Sequence, residues 1–167
     1  MAFDAYCYFP GSNIMGESTD RSMSSNNAFE LQEFQLGAEN AVDIGSQVGA
    51  ARGARATFKS LSFTKQTDKA SVTLLAKLLN GSKLDDMIIE LRRSGEGEGV
   101  AGVTYLMYEF KSVYVADMTW SGAGDDPCTE SLELKFGAFR ATYTPVGGAP
   151  VPTEWSTVLN EANFAVS

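Results

Sequence analysis

The chain has 167 residues, a length that fits one compact domain with a substantial core and is short for two. Its 21 acidic residues outnumber the 13 basic ones, and the net charge of −8 disfavours binding to nucleic acid or to anionic membranes. No histidine is present, which excludes Ser-His-Asp and Cys-His catalysis and most zinc and non-haem iron sites. We therefore predict a single domain over residues 1–167 with no enzyme activity, cofactor or metal.

The first predicted strand covers residues 2–9, in which apolar and polar side chains alternate. Cys7 lies on its apolar face, a pattern typical of a buried thiol. Cys128 is distant in the sequence and forms no CxxC motif, so a buried thiol is favoured over a native disulfide, and pairing of the two stays open.

The N-terminal residues contain neither a basic segment nor a long apolar run, so no signal peptide is expected. No stretch approaches the ~18 apolar residues of a membrane span, so membrane insertion is not expected either. The protein is expected to fold in the cytoplasm, and any export would use a route without a cleavable leader.

A polar loop at 16–28 and a second strand at 28–40 precede a segment at 41–54 that has three glycines and no clear periodicity. Loops of this length are uncommon inside compact domains and are usually functional. The apolar residues of this segment suggest an exposed contact surface, and a flexible linker is the alternative.

A third strand is predicted at 55–66, and a helix of about nine residues follows it. Ser71 is the expected N-cap and Gly81 the expected C-cap. A helix this short must pack against the rest of the domain to be stable. The apolar stripe expected to face the core consists of Leu74, Leu75, Leu78 and Leu79.

In three predicted strands the alternation of apolar and polar side chains shifts by one residue partway along the strand, a feature called here a phase slip. Phe29 and Leu31 in the second strand, for example, give way to Phe34 and Leu36. A flat strand has a side-chain period of two and cannot do this, whereas a bulge or a strand that passes to a second sheet can. We predict a mainly β fold, a small β-barrel of two curved, mostly antiparallel sheets with one short attached α-helix and a long extended loop. The later strands are expected at 85–93, 103–119, 130–144 and 153–158.

Several motifs resemble functional sites without their context. Residues 97–102 match GxGxxG, but they lead into a strand and carry acidic neighbours that would repel phosphate, so a hairpin loop is predicted. The acidic pairs at 85–86 and 125–126 are interpreted as solvated turns, and no serine lies in a GxSxG motif. The sequence therefore shows no catalytic signature.

Five segments spread over nearly the whole chain carry a family pattern. The most specific is Leu61–Lys65 followed by Thr67–Ser71. The others are Met1–Tyr6, Gly16–Asp20, Thr129–Leu134 with Tyr143–Pro145, and Gly148–Val151 with Trp155. In order, spacing and content they resemble the Hcp family, the haemolysin-coregulated tube proteins of bacterial type VI secretion.

The resemblance implies a β-barrel with one helix, in agreement with the phase slips. It also implies hexameric rings that stack into the injected inner tube, with small effector proteins carried in the lumen. The expected partners are further copies of the chain, the tail spike, the sheath and effectors. Export would then proceed through the type VI apparatus without a signal peptide.

The resemblance also assigns residues. Thr64 and Asp68 are expected to satisfy backbone groups at the strand-to-helix corner, and Val72 stands where relatives often have proline after the helix-capping serine. The expected structural signature consists of Gly16, Glu17, Ser18, Phe63, Thr64, Lys65, Asp68 and Ser71. The expected ring-stacking loop residues are Val42, Asp43, Ile44, Gln47, Val48 and Arg52.

Two other functional classes compete with a tube subunit. A soluble ligand-binding β-barrel without ring assembly would use an aromatic platform formed by Tyr6, Tyr8, Trp120 and Trp155, although packing is the commoner role of such residues. An enzyme would need a mechanism without histidine. The assembly state distinguishes the tube subunit from both.

Overall fold

The computed structural model describes residues 4–41, 55–93 and 102–167. Residues 42–54 of the extended loop predicted at 41–54, and most of the glycine-rich segment at 97–102, lie outside these ranges. Within them no helix is both long and apolar enough to span a membrane. The helix α1 covers Lys69–Asn80. The strands are β1 (Asp4–Tyr8), β2 (Phe29–Leu31), β3 (Glu33–Gln35), β4 (Ala38–Glu39), β5 (Thr57–Phe58), β6 (Leu61–Gln66), β7 (Leu84–Arg93), β8 (Val103–Ser121), β9 (Thr129–Lys135), β10 (Ala138–Tyr143) and β11 (Val151–Ser156).

The strands form two curved antiparallel sheets that share β8. Sheet I has the order β2-β1-β7-β8-β10-β11, and sheet II has the order β3-β6-β9-β8. The end strands β2 and β3 follow one another in the chain, and Gln32 between them donates its N–H to Thr64 O at 2.9 Å. The sheets therefore wrap round a common core, although the strand-pairing path itself does not close. The predicted class, a mainly β barrel-like fold of two sheets with one helix, is confirmed.

The predicted strands divide where their apolar phase slips. The strand expected at 28–40 breaks at Gln32 and that at 130–144 breaks at residues 136–137, so β2 and β10 lie in sheet I while β3 and β9 lie in sheet II. The long strand β8 passes between the sheets at Ser112, whose φ of 52° is left-handed. A change of sheet turns the opposite face of the strand towards the core, which explains the slipped pattern.

Aromatic side chains fill the space between the sheets. The ring centroid of Phe110 lies 4.9 Å from that of Phe136 and 5.9 Å from that of Phe139. Phe58 of the β4–β5 hairpin contacts the same group, with its ring 5.4 Å from Phe139. These contacts join the hairpin to the core of the barrel.

The helix buries one face and exposes the other. Leu74 is fully buried, which contributes roughly 2 kcal/mol to folding. The prediction that all four helix leucines face the core is wrong for Leu79, which is 73% exposed, as is Val72 at 67%. These two lie seven residues apart and share the outer face, because a helix turns about 100° per residue. The predicted C-cap is confirmed: Gly81 is left-handed at φ 62°, and its N–H donates to carbonyls of the last turn.

Candidate functional site

A fully buried lysine lies at the corner where β6 leads into α1. Lys65 Nζ is 2.7 Å from Asp68 Oδ1 and 2.9 Å from Glu130 Oε1, and it is 3.1 Å from Ser71 Oγ. The ring of Phe29 lies 4.8 Å away. The ammonium group is thus surrounded by oxygen acceptors and an aromatic face, which is the environment that a buried cation requires.

Glu130 is the second centre of this network and is 1% exposed. Its Oε1 accepts from Lys65 and from Ser71 Oγ at 2.8 Å. Its Oε2 accepts from Trp120 Nε1 at 2.6 Å and from Thr67 Oγ1 at 3.3 Å. One carboxylate therefore links β8, β9, β6 and the start of the helix.

The role of Glu130 was missed by sequence reasoning, although a signal was present. Glu130 lies on the same side of β9 as the buried Leu132 and Leu134, so alternation places its carboxylate in the core. Lys65 likewise follows Phe63 by two residues, and Phe63 is 2% exposed. A buried acid and a buried base on neighbouring core-facing strands indicate an ion pair.

The start of the helix differs from the prediction. Asp68, and not Ser71, is the N-cap, because its Oδ1 accepts from Ala70 N at 3.0 Å and the helix begins at Lys69. Ser71 is the third helical residue, and its Oγ accepts from Asp68 N at 2.9 Å, which completes a capping box. Thr64 contributes its backbone carbonyl, which accepts the N–H between β2 and β3.

The segment at 16–18 lies beside this corner. A Cβ on Gly16 would lie 2.4 Å from the carbonyl carbon and oxygen of Ala28, so no larger residue fits without moving the backbone. Glu17 Oε1 forms an ion pair with Lys69 Nζ at 3.2 Å at the start of the helix. Ser18 donates its N–H to Ala28 O at 2.9 Å. The segment is thus held against the chain just before β2.

A second partly buried ion pair anchors the loop after the segment at 16–18. Arg92 Nη1 lies 3.1 Å from Asp20 Oδ1 and 2.5 Å from Ser22 Oγ, and Arg92 Nη2 donates to Gly102 O. The pKa of Asp20 is held below its usual range, first by the hydrogen bond from Ser22 and then by backbone N–H donors and the charge of Arg92, against the opposing effect of burial.

The polar groups of the corner at Lys65 bond to one another. Lys65 and Ser71 are both fully buried, and their polar atoms are occupied by hydrogen bonds within the protein. In the described ranges no three acidic or cysteine side chains are grouped as metal ligands would be. The signature residues here join strands to the helix.

The surfaces that could form an assembly lie elsewhere. The six predicted stacking-loop residues fall in 42–54, outside the described ranges, and their role stays a prediction. In sheet II, β8 residues 114–121 pair with β9 on one side, and within the described ranges no strand pairs with their other side, although α1 packs against β8. Tyr114 and Trp120 of this edge are 44% and 46% exposed. A strand edge without a strand partner is a surface on which another chain can pair.

The aromatic residues proposed for a ligand-binding platform do not share one exposed surface. Tyr6 is 8% exposed and packs with Met23, and burial is the main reason that its pKa is raised. Tyr8 donates its hydroxyl to Glu90 at 2.6 Å. Trp120 lies near the C-terminal end of β8 and donates its indole N–H to the buried carboxylate of Glu130. These residues have packing and hydrogen-bonding roles in the described structure.

Comparisons with known proteins agree on one family. A family model described as the type VI secretion system effector Hcp matches residues 6–143. The protein hcp1 of Pseudomonas aeruginosa is 29% identical over 109 residues, which are 61% of this chain and 65% of that protein's length. The match thus spans slightly less than two thirds of that relative.

Solved structures extend the likeness to nearly the whole chain. A structure described as a type six secretion system protein matches with a TM-score of 0.85 and 26% identity, covering 97% of this chain and 100% of the other. Hcp1 from Salmonella typhimurium has the same fold, with a TM-score of 0.79 and 23% identity over 98% of this chain and 100% of its own. The chain belongs to the Hcp family, the tube proteins of bacterial type VI secretion.

Proposed function

We propose that this chain is the subunit of a type VI secretion tube and assembles into hexameric rings that stack end to end. Family membership over residues 6–143 supports the class of protein. The observation that carries self-assembly is that, within the described ranges, β8 residues 114–121 have a strand partner on one side only. The opposite edge of that sheet is β3, which in the described structure pairs with β6 alone.

These two edges can meet between neighbouring copies. An edge has unpaired N–H and C=O groups, so β8 of one copy and β3 of the next can continue sheet II across the boundary. Because the two edges differ, the contact is heterologous, and its repetition closes a ring of six when each copy is rotated by one sixth of a turn. Sheet II would then line the ring.

The proposed role is structural, and the protein is not proposed to be an enzyme. The chain has no histidine, and the buried polar corner is occupied by its own hydrogen bonds. Within the secretion machine the proposed partners are the tail spike, the sheath and small effector proteins held in the lumen. The proposed route is folding in the cytoplasm followed by export through the type VI apparatus.

Ring assembly can be tested by light scattering behind a sizing column. Six copies of the 17.9 kDa chain give about 107 kDa, and negative-stain images should show rings. The variant Tyr114→Glu places a charge on the β8 edge and is expected to yield smaller species. Tyr143→Glu is the matched control, because Tyr143 has the same 44% exposure but lies on β10 of sheet I.

The two variants decide which surface is used. A monomeric wild-type protein at all micromolar concentrations would contradict autonomous ring assembly and favour a ligand-binding relative. A hexamer that survives Tyr114→Glu unchanged would contradict the role of the β8 edge while leaving the ring itself in place.

A further inference from the structure

A basic cleft lies at one end of sheet II, beside the β4–β5 hairpin. It has a volume of about 450 Å³, and its lining residues include Arg55, Lys59 and Lys135 but no acidic residue. All three side chains are exposed, and within the described part of the chain none of them pairs with a carboxylate. Because the whole protein carries a net charge of −8, this concentration of cations without an acidic partner among the described residues is a local exception.

An exposed acidic turn lies at the opposite end of the same sheet. The β8–β9 turn at 122–128 is exposed throughout and includes Asp125 and Asp126, neither of which forms an ion pair with another described residue. Strand register shows that the two ends are opposite, because β6 pairs Leu61 with Leu134 near the cleft and Gln66 with Thr129 near the turn. The length of β9 separates them by about 20 Å.

We propose that the acidic turn of one copy binds in the basic cleft of the next copy, so that successive copies associate head to tail along the strand direction of sheet II. The two surfaces have opposite charge and lie at opposite ends, so each copy offers both halves of the contact. Because the two surfaces lie at opposite ends of the strands, this heterologous contact repeats by translation along the strand direction and forms an open stack. The inference rests on the proposed ring and assigns the contact between successive rings.

The small residues of the turn suit this geometry. Gly122, Ala123 and Gly124 precede the two aspartates, and Gly124 is left-handed at φ 60°. They keep the loop narrow, so the carboxylates can enter an open cleft without bulky neighbours. Arg55 is already oriented there, because its Nη2 donates to Thr157 O at 3.1 Å.

The first test reverses the charge on either surface. The length of the ring stacks is measured at low salt by sedimentation and by negative-stain microscopy. A surface ion pair changes an association constant by about twofold, and six copies acting together multiply this to roughly 60-fold. Lys59→Glu and Asp126→Lys should each abolish stacks while leaving single rings. The double variant restores opposite charges in every copy and should stack again. Added salt should disperse wild-type stacks.

The exposed Cys128 in the acidic turn provides a second test. In the variant Lys59→Cys, mild oxidation by copper-phenanthroline should join residue 59 of one ring to Cys128 of the next. A disulfide within one chain is excluded, because it requires a Cα–Cα distance of about 6 Å and the ends are about 20 Å apart. The expected product is a covalent ladder longer than six chains, and Lys59→Cys with Cys128→Ser is the control that should give none.

The outcomes separate this inference from the proposed function. Failure of the wild type to form rings would contradict the proposed function itself. Rings that stack equally well in both charge variants, that show no salt-dependent association, or that give in the Lys59→Cys variant no crosslinked chains beyond those of its Cys128→Ser control would overturn the head-to-tail contact and leave the ring intact.

Discussion

Replacement of Lys65 by methionine tests the buried corner most directly. Methionine has a similar length and flexibility but no charge, so the packing volume is kept while the cation is removed. Glu130, whose side chain is fully buried, would lose its ion-pair partner at 2.9 Å. Asp68 is 12% exposed and keeps some access to water, so most of the penalty falls on Glu130.

The expected magnitude follows from the burial of the pair. Removing one partner of a buried ion pair costs about 3–5 kcal/mol, a large part of the roughly 5–15 kcal/mol that stabilises a domain. Glu130→Gln should cost less, about 1–3 kcal/mol, because Lys65 keeps Asp68 and the amide oxygen can still accept. The double variant leaves no unpaired charge on Glu130, so the sum of the single effects should exceed the double effect by about 1–3 kcal/mol.

Urea unfolding at one fixed protein concentration measures these differences, since an assembling protein changes its apparent stability with concentration. Tryptophan fluorescence is a suitable signal, because Trp120 Nε1 donates directly to Glu130. The reasoning would be refuted if Lys65→Met cost less than about 1 kcal/mol and the two substitutions were additive.

Three further predictions concern other positions. Gly16→Ala should destabilise the protein by about 2 kcal/mol or more, measured by urea unfolding, because the added Cβ would lie 2.4 Å from backbone atoms of Ala28. In the native protein a thiol reagent should label Cys128 rapidly and Cys7 slowly, because Cys7 is fully buried and burial raises its pKa. Hydrogen bonding lowers the pKa of Asp20, so its contribution to stability is present above the unfolded-state pKa of about 4 and is lost as the pH falls through the folded-state value.

Each of these has a control or a contrary result. Gly122→Ala matches Gly16→Ala in chemistry but places its Cβ in open space, so equal destabilisation by the two would contradict the steric argument. Rapid labelling of both thiols in the native state would show that the core position of Cys7 is wrong. Asp20→Asn should reduce the loss of unfolding free energy at acidic pH, measured by urea titration at a series of pH values. An unchanged pH dependence would show that the hydrogen bonds to Asp20 do not contribute.

Local patterns in the sequence were sufficient for the fold class. Alternation in residues 2–9 and along β9 indicates strands because a strand turns successive side chains to opposite faces. The phase slips between Leu31 and Phe34 and between Phe136 and Phe139 mark the points where the chain changes sheet. Gly81 marks the helix end because it accepts a left-handed conformation without strain.

The sequence by itself thus determined the strands, the helix, their breaks and the family, since each depends on neighbours a few residues apart. The N-cap is equally local, a capping box between Asp68 and Ser71 that was misread from the sequence. The tertiary structure decided the rest: the exposure of Leu79 and the pairing of Lys65 with Glu130 across 65 positions. It also decided which strand edges are exposed and that the basic cleft and the acidic turn lie at opposite ends of sheet II. These features depend on register and on which elements are packed together, and the free energy of such long-range contacts is not encoded in the periodicity of any single segment.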